Sequence, residues 1–255
     1  MMRGVNYDER QHAQYRRGRE LPPDRLALWI DTFTRHAPDE RPIAVLDLGS
    51  GTGRFTPALA EAFGGPVYGV EPSRKMREIA ERHAAHPAVT CTEGRAESIP
   101  LRPMSVDLVL MYLSFHHVRD RQAAASEVAR VLRHGGRVLL RSTFSDRICE
   151  MEWMRYFPRL REIEAQMFPS SNEAIELFAR VGLHAIALVA VKEQLASSLA
   201  EYTARLRMRA ISTFEHMSED EILDGFARLD AASAQQTQGR PVIRSSDLLV
   251  LGWAG

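Results

Sequence analysis

Cysteine is scarce in this sequence, and its scarcity argues against two kinds of small domain. Two cysteines occur among 255 residues, Cys91 and Cys149, and neither has a CxxC partner or a nearby pair of histidines. Disulfide-stapled domains and structural zinc sites both need several such residues at short spacings. We therefore expect a chain that folds around an apolar core in the reducing cytoplasm, with no disulfide framework and no metal site.

Long apolar runs and a surplus of one charge are also absent. No stretch reaches the ~18 apolar residues of a membrane span, and the N-terminal segment lacks the apolar core of a signal peptide. Lysine plus arginine and aspartate plus glutamate each total 33, so no net field would draw the protein to nucleic acid. We expect neither a membrane nor a nucleic acid as a partner.

The sequence does contain an alternation of short apolar segments with helical patterns. Such alternation predicts a parallel β-sheet with helices on both faces. Strands are predicted at 43–49, 67–71, 89–94, 105–113 and 137–145, with helices at 57–63, 74–84 and 122–136, the last of them stopped by Gly135.

Beyond residue 145 helical patterns dominate, and the chain reads as one domain, 1–255, with a helical insert. No internal repeat or low-complexity run divides it. Helices are predicted at 151–168 and 171–183, a sixth strand at 184–193, two helical segments within 197–236, the second opened by a Ser218–Glu221 capping box, and a last strand at 247–255.

A glycine-rich turn follows the first predicted strand. In Asp47-Leu48-Gly49-Ser50-Gly51-Thr52-Gly53 the glycines let the backbone approach a ligand that side chains would block. Glu71 ends the next strand about 20 residues later, where a carboxylate can accept hydrogen bonds from both hydroxyls of a ribose. The GxGxG spacing differs from the GxGxxG of dinucleotide sites and suits an adenosine ligand with an amino-acid tail.

Five blocks in order carry a resemblance to a known family. LDLGSGTGRFT, VEPSRKM, GRAESIPL, VDLVLMYLSFHHV and EVARVLRHGGRVLL, within residues 40–145, resemble successive motifs of the class I S-adenosylmethionine-dependent methyltransferases. The resemblance implies an α/β, Rossmann-like, seven-stranded and mostly parallel sheet with an antiparallel last strand and a helical cap inserted before it. It also implies S-adenosyl-L-methionine as cofactor and S-adenosyl-L-homocysteine as product.

The resemblance assigns cofactor contacts residue by residue. The glycine turn would hold the methionine part, Glu71 the ribose, the GRAES turn the adenine edge and the end of the fourth strand the sulfonium side. Arg95 departs from the family pattern, because an arginine cannot accept a hydrogen bond from the adenine amino group. The implied cofactor-binding residues are Asp47, Gly49, Ser50, Gly51, Thr52, Gly53, Glu71, Pro72, Ser73, Met76, Ala96, Glu97, Tyr112, Leu113 and Ser114.

The N-terminal arm, 1–23, resembles a lid found in several members of this family. Tyr15 and Arg19 would then close over the cofactor, with Arg19 facing its carboxylate. The alternative is a solvated arm with scattered charges.

Candidates for catalysis and for acceptor binding lie outside the cofactor motifs. His116 and His117 follow the fourth strand, where one could act as a general base or both could simply pack the strand end. The predicted helical cap, 146–170 and 197–240, supplies Trp153, Tyr156, Phe157, Tyr202, Arg205 and Arg209 as substrate candidates. Core packing of the aromatics and solvation of the arginines is the alternative.

These residues predict an enzyme that transfers a methyl group to an O, N or C atom of a small molecule by in-line displacement, mainly through positioning. Two other functions fit the same motifs: a lyase or cyclase that uses the cofactor's charge, and a cofactor-binding protein without turnover. The sequence leaves open whether the protein is a monomer or a homodimer.

Overall fold

A seven-stranded sheet lies at the centre of the fold. The computed structural model describes residues 21–148, 151–209, 211–235 and 239–254. The strands are β1 (Ile43–Leu48), β2 (Gly64–Val70), β3 (Val89–Thr92), β4 (Val106–Tyr112), β5 (Leu132–Ser142), β6 (Leu183–Ala196) and β7 (Val242–Trp253).

The strand order is β3-β2-β1-β4-β5-β7-β6. Neighbouring strands from β3 to β5 are parallel, and β7 runs antiparallel to both β5 and β6. The predicted Rossmann-like fold class is confirmed, including the antiparallel last strand.

Helices cover both faces of this sheet because its central strands are apolar on both sides. All six residues of β1 are buried, as expected for the interior of a parallel sheet. Leu46 packs with the core on one face and Val45 with the core on the other. The helices are α1 (Pro23–His36), α2 (Thr56–Phe63), α3 (Arg74–His83), α4 (Arg121–Val131), α5 (Leu160–Met167), α6 (Ser171–Ala179), α7 (Leu199–Leu206) and α8 (Glu219–Gln235).

A third apolar cluster forms a separate helical layer. This helical layer consists of α5, α7, α8 and two 3₁₀ turns, Glu152–Tyr156 and Ser212–His216. Its core contains Trp153, Phe157, Phe214 and Phe226. The segment between β6 and β7 leaves the sheet after Ala196 and returns at Val242, and these two residues pair with each other across the strands.

Two predicted helices differ from the structure. The helix predicted to stop at Gly135 ends at Val131, and β5 begins at Leu132. Gly135 instead has a φ of 81° inside an irregular stretch of β5, so its left-handed backbone serves a bulge rather than a helix end. The stretch 151–168 is divided at Pro158, which has no N–H to continue a helix.

The predicted Ser218–Glu221 capping box is confirmed. The backbone N–H of Glu221 donates to Ser218 Oγ at 3.3 Å, and that of Ser218 donates to Glu221 Oε2 at 2.8 Å. Within the described ranges, no helix combines the length and the apolar character needed to cross a bilayer.

Candidate functional site

The glycine turn is held between β2 and β4 by close backbone contacts. The N–H of Gly49 donates to Val70 O at 2.8 Å, and Ser114 Oγ donates to Leu48 O at 2.8 Å. Gly49 has a φ of 77°, and a Cβ there would lie 2.4 Å from the Cβ of Ser114. Only glycine fits this position without a shift of the chain.

Gly53 has a packing role. A Cβ at Gly53 would lie 2.8 Å from that of Ala84, so this glycine lets the turn pack against the end of α3. It does not line the cleft described below.

Glu71 links the glycine turn to the loop after β2. Its Oε2 accepts a hydrogen bond from the N–H of Gly51 at 3.0 Å, and its Oε1 accepts one from the N–H of Ser73 at 2.8 Å. The side chain is buried, yet it lines the same cleft as the turn. Since each carboxylate oxygen has two lone pairs, Glu71 retains acceptor capacity for a ligand.

A cleft of about 950 Å³ lies at the carboxyl ends of β1, β2 and β4. In a doubly wound sheet this is where ligands bind. Every predicted cofactor residue within the described ranges lines it, apart from Gly53. Tyr15 and Arg19 lie outside the described residues.

Asp47 brings an unsatisfied carboxyl oxygen to this cleft. The residue is buried, and its Oδ2 has no hydrogen-bond partner among the described residues. Burial raises the pKa of Asp47 to about 7, although the nearby Arg54 acts in the opposite direction. A buried carboxylate of this kind is stabilised by a cation, and the ammonium of an amino-acid tail has the required charge and donors.

The GRAES turn closes the other end of the cleft. Ala96 and Glu97 both line it. Glu97 Oε1 accepts hydrogen bonds from the N–H groups of Arg119 at 3.0 Å and Asp120 at 3.3 Å, which anchors the turn to the start of α4. Arg95, the departure from the family pattern, lines the cleft as well.

The end of β4 separates the cleft from a second cavity of about 480 Å³. Four residues line both spaces: Arg54, Tyr112, Leu113 and His116. Leu113 has a φ of 55°, an uncommon backbone conformation for a residue other than glycine. The two spaces therefore meet where the family motif places the sulfonium side of the cofactor.

The two histidines differ in position. Their ring centroids are 3.8 Å apart, and both line the cleft. Only His116 also lines the second cavity, where its ring lies 4.5 Å from that of Phe168. His116 is thus the one of the two that can contact a molecule in the second cavity as well as one in the cleft.

Some of the predicted substrate residues line the second cavity and some do not. Trp153, Tyr202 and Arg205 line it. Tyr202 is buried, which raises the pKa of its hydroxyl to about 12. Arg205 pairs with Glu201 at 2.6 Å.

Three other candidates line neither the cleft nor the second cavity. They are Tyr156, Phe157 and Arg209. Phe157 lies in the core of the helical layer, and Arg209 forms two hydrogen bonds with Glu219, at 2.6 and 2.7 Å.

A charged cluster at the wall of the second cavity was not predicted from the sequence. Glu193 is fully buried and pairs with Arg25 at 2.7 Å, Arg244 at 2.6 Å and Arg141 at 3.5 Å. Burial favours the neutral carboxyl, but the three guanidinium groups together hold the pKa of Glu193 well below its usual range. The available signal was Arg141 within the apolar run of β5, since arginine is rarely buried without a partner.

Glu164, on α5, is a second acidic group that the sequence did not reveal. It lines the second cavity and accepts a hydrogen bond from Thr213 Oγ1 at 3.4 Å. Burial raises the pKa of Glu164 to about 7, against the opposing effect of Arg244. In the described part of the chain, no group of three His, Cys, Asp or Glu side chains could hold a metal ion.

The fold is shared with a solved structure of low sequence identity. An Anabaena variabilis protein, described as a methyltransferase from an antibiotic biosynthesis pathway, superimposes with a TM-score of 0.73 at 23% identity. The match covers 87% of this chain and 95% of that one.

Sequence comparisons identify the family. The family described as "Methyltransferase domain" matches residues 46–140. An uncharacterized methyltransferase of Mycobacterium tuberculosis is 39% identical over 142 residues, which cover 55% of this chain and 53% of the relative. One from Bacillus cytotoxicus is 30% identical over 149 residues, covering 55% of this chain and 69% of the relative.

The chain spans about half the length of the first curated relatives that it matches. The matched region contains the glycine turn, Glu71 and the end of β4 that together form the cleft. The chain belongs to the class I S-adenosylmethionine-dependent methyltransferases.

Proposed function

We propose that the protein transfers a methyl group from S-adenosyl-L-methionine to an O, N or C atom of a small-molecule acceptor. The observation that carries the proposal is the wall shared by two spaces: Arg54, Tyr112, Leu113 and His116 line both the cleft and the second cavity. A cofactor in the cleft and an acceptor in the second cavity would meet at the end of β4.

The residues of the cleft fit the three parts of the cofactor. Asp47 would receive the ammonium, because its buried Oδ2 has no hydrogen-bond partner in the described ranges. Glu71 would accept from the ribose hydroxyls, and Met76, which is buried at the cleft wall, would pack on the adenosine. We extend the proposal to Tyr15 and Arg19 as a lid over the cofactor carboxylate.

When bound, S-adenosylmethionine supplies an electrophilic methyl group on a sulfonium. The protein's task is then to hold the acceptor atom in line with the S–CH₃ bond at ~3–3.5 Å. For an O–H or N–H acceptor, His116 would take the released proton at its imidazole, a contribution of about 10²–10⁴-fold in rate. His117 would support the orientation of His116, since the two rings are in contact.

The size of the second cavity supports a small molecule as acceptor. About 480 Å³ falls within the ~300–1,000 Å³ typical of small-molecule pockets. Its walls include Trp153 and Tyr202 from the helical layer, with Arg205 beside them. The Anabaena variabilis protein of the same fold is described as belonging to an antibiotic biosynthesis pathway, which is small-molecule chemistry.

The test is a search for the methylated product. The purified chain would be incubated with S-adenosylmethionine and a metabolite extract, and mass spectrometry would follow both S-adenosylhomocysteine and any compound that gains one methylene. Equal amounts of the two products support methyl transfer. A new product without S-adenosylhomocysteine would instead support the cyclase or lyase, and calorimetry showing no binding of either cofactor form would refute the proposal.

A further inference from the structure

The wall of the second cavity carries more positive than negative charge around one buried carboxylate. Arg25 from α1 and Arg244 from β7 both line the cavity, and both pair with Glu193, at 2.7 and 2.6 Å. These two residues alone set two positive charges against one negative charge. Arg141 from β5 adds a third guanidinium at 3.5 Å from the same carboxylate.

The neighbouring charged pairs do not remove this surplus. Arg147 is matched by Asp247 at 3.2 Å, and Arg205 is matched by Glu201 at 2.6 Å. Of the other described acidic residues lining the cavity, Glu164 is left, and its pKa of about 7 makes it a partly neutral group near neutral pH. A mostly buried positive charge that is not fully neutralised destabilises the protein, so binding of an anion beside it is favourable.

Apolar side chains form another part of the cavity wall. Trp153 and Phe168 are both buried side chains that line it, together with Leu195 and Leu206. A ligand that fits both kinds of surface has an apolar or aromatic body and an anionic group. Guanidinium forks bind planar carboxylates with two parallel hydrogen bonds, so the arginine-lined part of the wall suits a carboxylate.

We propose that the second cavity binds its acceptor as an amphipathic carboxylic acid, with the carboxylate at the arginine cluster of Arg25, Arg141 and Arg244. This inference rests on the proposed function, because it takes the second cavity to be the acceptor site. Its test uses binding in the presence of S-adenosylhomocysteine, so that occupancy of the cleft is measured separately.

A matched pair of probes tests the charge requirement. Calorimetry on the full chain saturated with S-adenosylhomocysteine would compare 3-phenylpropanoate with 3-phenylpropanamide, which has the same shape and no charge. We expect the acid to bind at least about tenfold more tightly, the difference expected for a charge-assisted hydrogen bond. Equal affinities, or no binding of the acid, would overturn the inference.

A pair of variants tests the position of the carboxylate. Arg244→Gln should weaken binding of the acid by about tenfold, whereas its affinity for the amide should stay within about twofold of that of the natural chain. Arg207→Gln is the control, because Arg207 pairs with Asp230 and lines neither space. Should Arg244→Gln fail to fold, Arg25→Gln on α1 carries the same expectation.

Glu164 gives a third, independent readout. As pH rises through about 7 the carboxyl of Glu164 becomes negative, so the acid should bind more weakly at pH 8 than at pH 6. Glu164→Gln should abolish that dependence and bind the acid more tightly than the natural chain at pH 8. The other charged or titratable groups that line the cavity with Glu164 are Arg25, Arg54, Tyr112, His116, Arg141, Arg147, Tyr202, Arg205, Arg244 and Asp247. Of these, Arg244 and Arg141 oppose the rise in its pKa.

The outcomes separate this inference from the function beneath it. Unchanged affinity for the acid in both Arg25→Gln and Arg244→Gln would place the anion elsewhere and overturn the inference, while intact S-adenosylhomocysteine binding would leave the proposed function standing. Phenyl phosphate binding more than about tenfold tighter than 3-phenylpropanoate would overturn the carboxylate assignment in favour of phosphate. Loss of S-adenosylhomocysteine binding in the unmodified chain would refute the proposed function itself.

Discussion

Asp47 ends up buried at the carboxyl end of β1 with its Oδ2 lacking a hydrogen-bond partner in the described ranges. A carboxyl group in that position destabilises the folded chain once it ionises, since burial has raised its pKa from 3.8 to about 7. A bound cation would neutralise the ionised carboxylate of Asp47 and so remove this cost. Stability of the free protein and affinity for the ligand therefore oppose each other at this residue.

Asp47→Asn should separate these two effects. In the natural chain, S-adenosylhomocysteine should bind up to about tenfold more weakly at pH 6 than at pH 7.5, because Asp47 is mostly protonated at pH 6. The variant should bind weakly at both values, as calorimetry would show. Without ligand at pH 7.5 it should melt at a higher temperature than the natural chain, so a variant that melts lower would contradict this account.

His116 and His117 allow a comparison of neighbours. With an O–H or N–H acceptor found by the screen, His116→Asn should lower kcat by about 10²–10⁴-fold, since only His116 lines both spaces. His117→Asn should have a smaller effect. Both variants should keep the natural affinity for S-adenosylhomocysteine. A larger loss of kcat in His117→Asn would reverse the assignment.

Local motifs predicted the residues of the cleft, whereas the arginine cluster depended on tertiary structure. Gly49, Gly51 and Glu71 belong to one short motif and the strand that follows it, so their spacing in the sequence reports their spacing in space. Arg25, Glu193 and Arg244 come from α1, β6 and β7, and 168 positions separate Arg25 from Glu193. No local pattern of residues could have brought these groups together.

Among the elements, Gly225 of α8 determines how closely that helix approaches Phe157, the residue that follows the 3₁₀ turn Glu152–Tyr156. A Cβ at Gly225 would lie 2.3 Å from Cε1 of Phe157. Phe157 is almost completely buried against Phe214 and Phe226. The glycine is thus a packing requirement of the helical layer rather than a weak point of the helix.

Gly225→Ala should therefore destabilise the protein, although alanine usually stabilises a helix by about 1 kcal/mol relative to glycine. We expect a loss of about 1–3 kcal/mol in urea unfolding, the usual cost of overpacking. Ala227→Gly at an exposed position of α8 is the control and should lose about 1 kcal/mol through helix propensity alone. Affinity for S-adenosylhomocysteine should be unchanged in both, and a more stable Gly225→Ala would refute the packing account.

Element boundaries were predicted well where one signal acted and poorly where two competed. The fully buried β1 was placed almost to the residue. The start of β5 was missed, because Gly135 can end a helix or occupy a bulge and the sequence does not distinguish these uses. The helix 151–168 was predicted from its aromatic spacing, although Pro158 was present to divide it.

At the scale of the whole molecule, Glu193 connects parts of the chain that are distant in sequence. Its carboxylate joins Arg25 of α1, Arg141 of β5 and Arg244 of β7, and it also accepts from Trp29 Nε1 at 3.3 Å. The cluster therefore holds a helix on one face of the sheet to three adjacent strands. It serves stability and, by the inference above, acceptor binding.

Glu193→Gln should destabilise the protein by about 3–5 kcal/mol at pH 7, the usual cost of removing one partner of a buried ion pair. Because the folded-state pKa is depressed, this contribution is complete above the unfolded value of 4.5 and is lost as pH falls below it. Urea unfolding should show that the difference in the free energy of unfolding between the natural chain and Glu193→Gln narrows by about 1.4 kcal/mol for each pH unit below 4.5.

Glu219→Gln is the matched control, since Glu219 is exposed and pairs with Arg209 on the surface. Exposed pairs contribute little to stability, so this variant should unfold almost as the natural chain does. If the loss of unfolding free energy in Glu193→Gln stayed constant from pH 7 to pH 3.5, the effect of the substitution would come from packing rather than from charge.

The pairing of Ala196 with Val242 has a consequence for how new acceptor preferences can arise. The segment 197–241 departs from the sheet and rejoins it at one place, so its length and composition can change while the register of β6 and β7 is kept. A chimera that carries the corresponding segment of a relative should change the part of the second cavity that Tyr202, Leu206 and Thr213 line. It should retain the carboxylate requirement that we assign to Arg25, Arg141 and Arg244, and the nucleoside affinity of its own β1 and β2. Acceptor preference can then vary through exchange of one contiguous stretch of gene, with no redesign of the sheet.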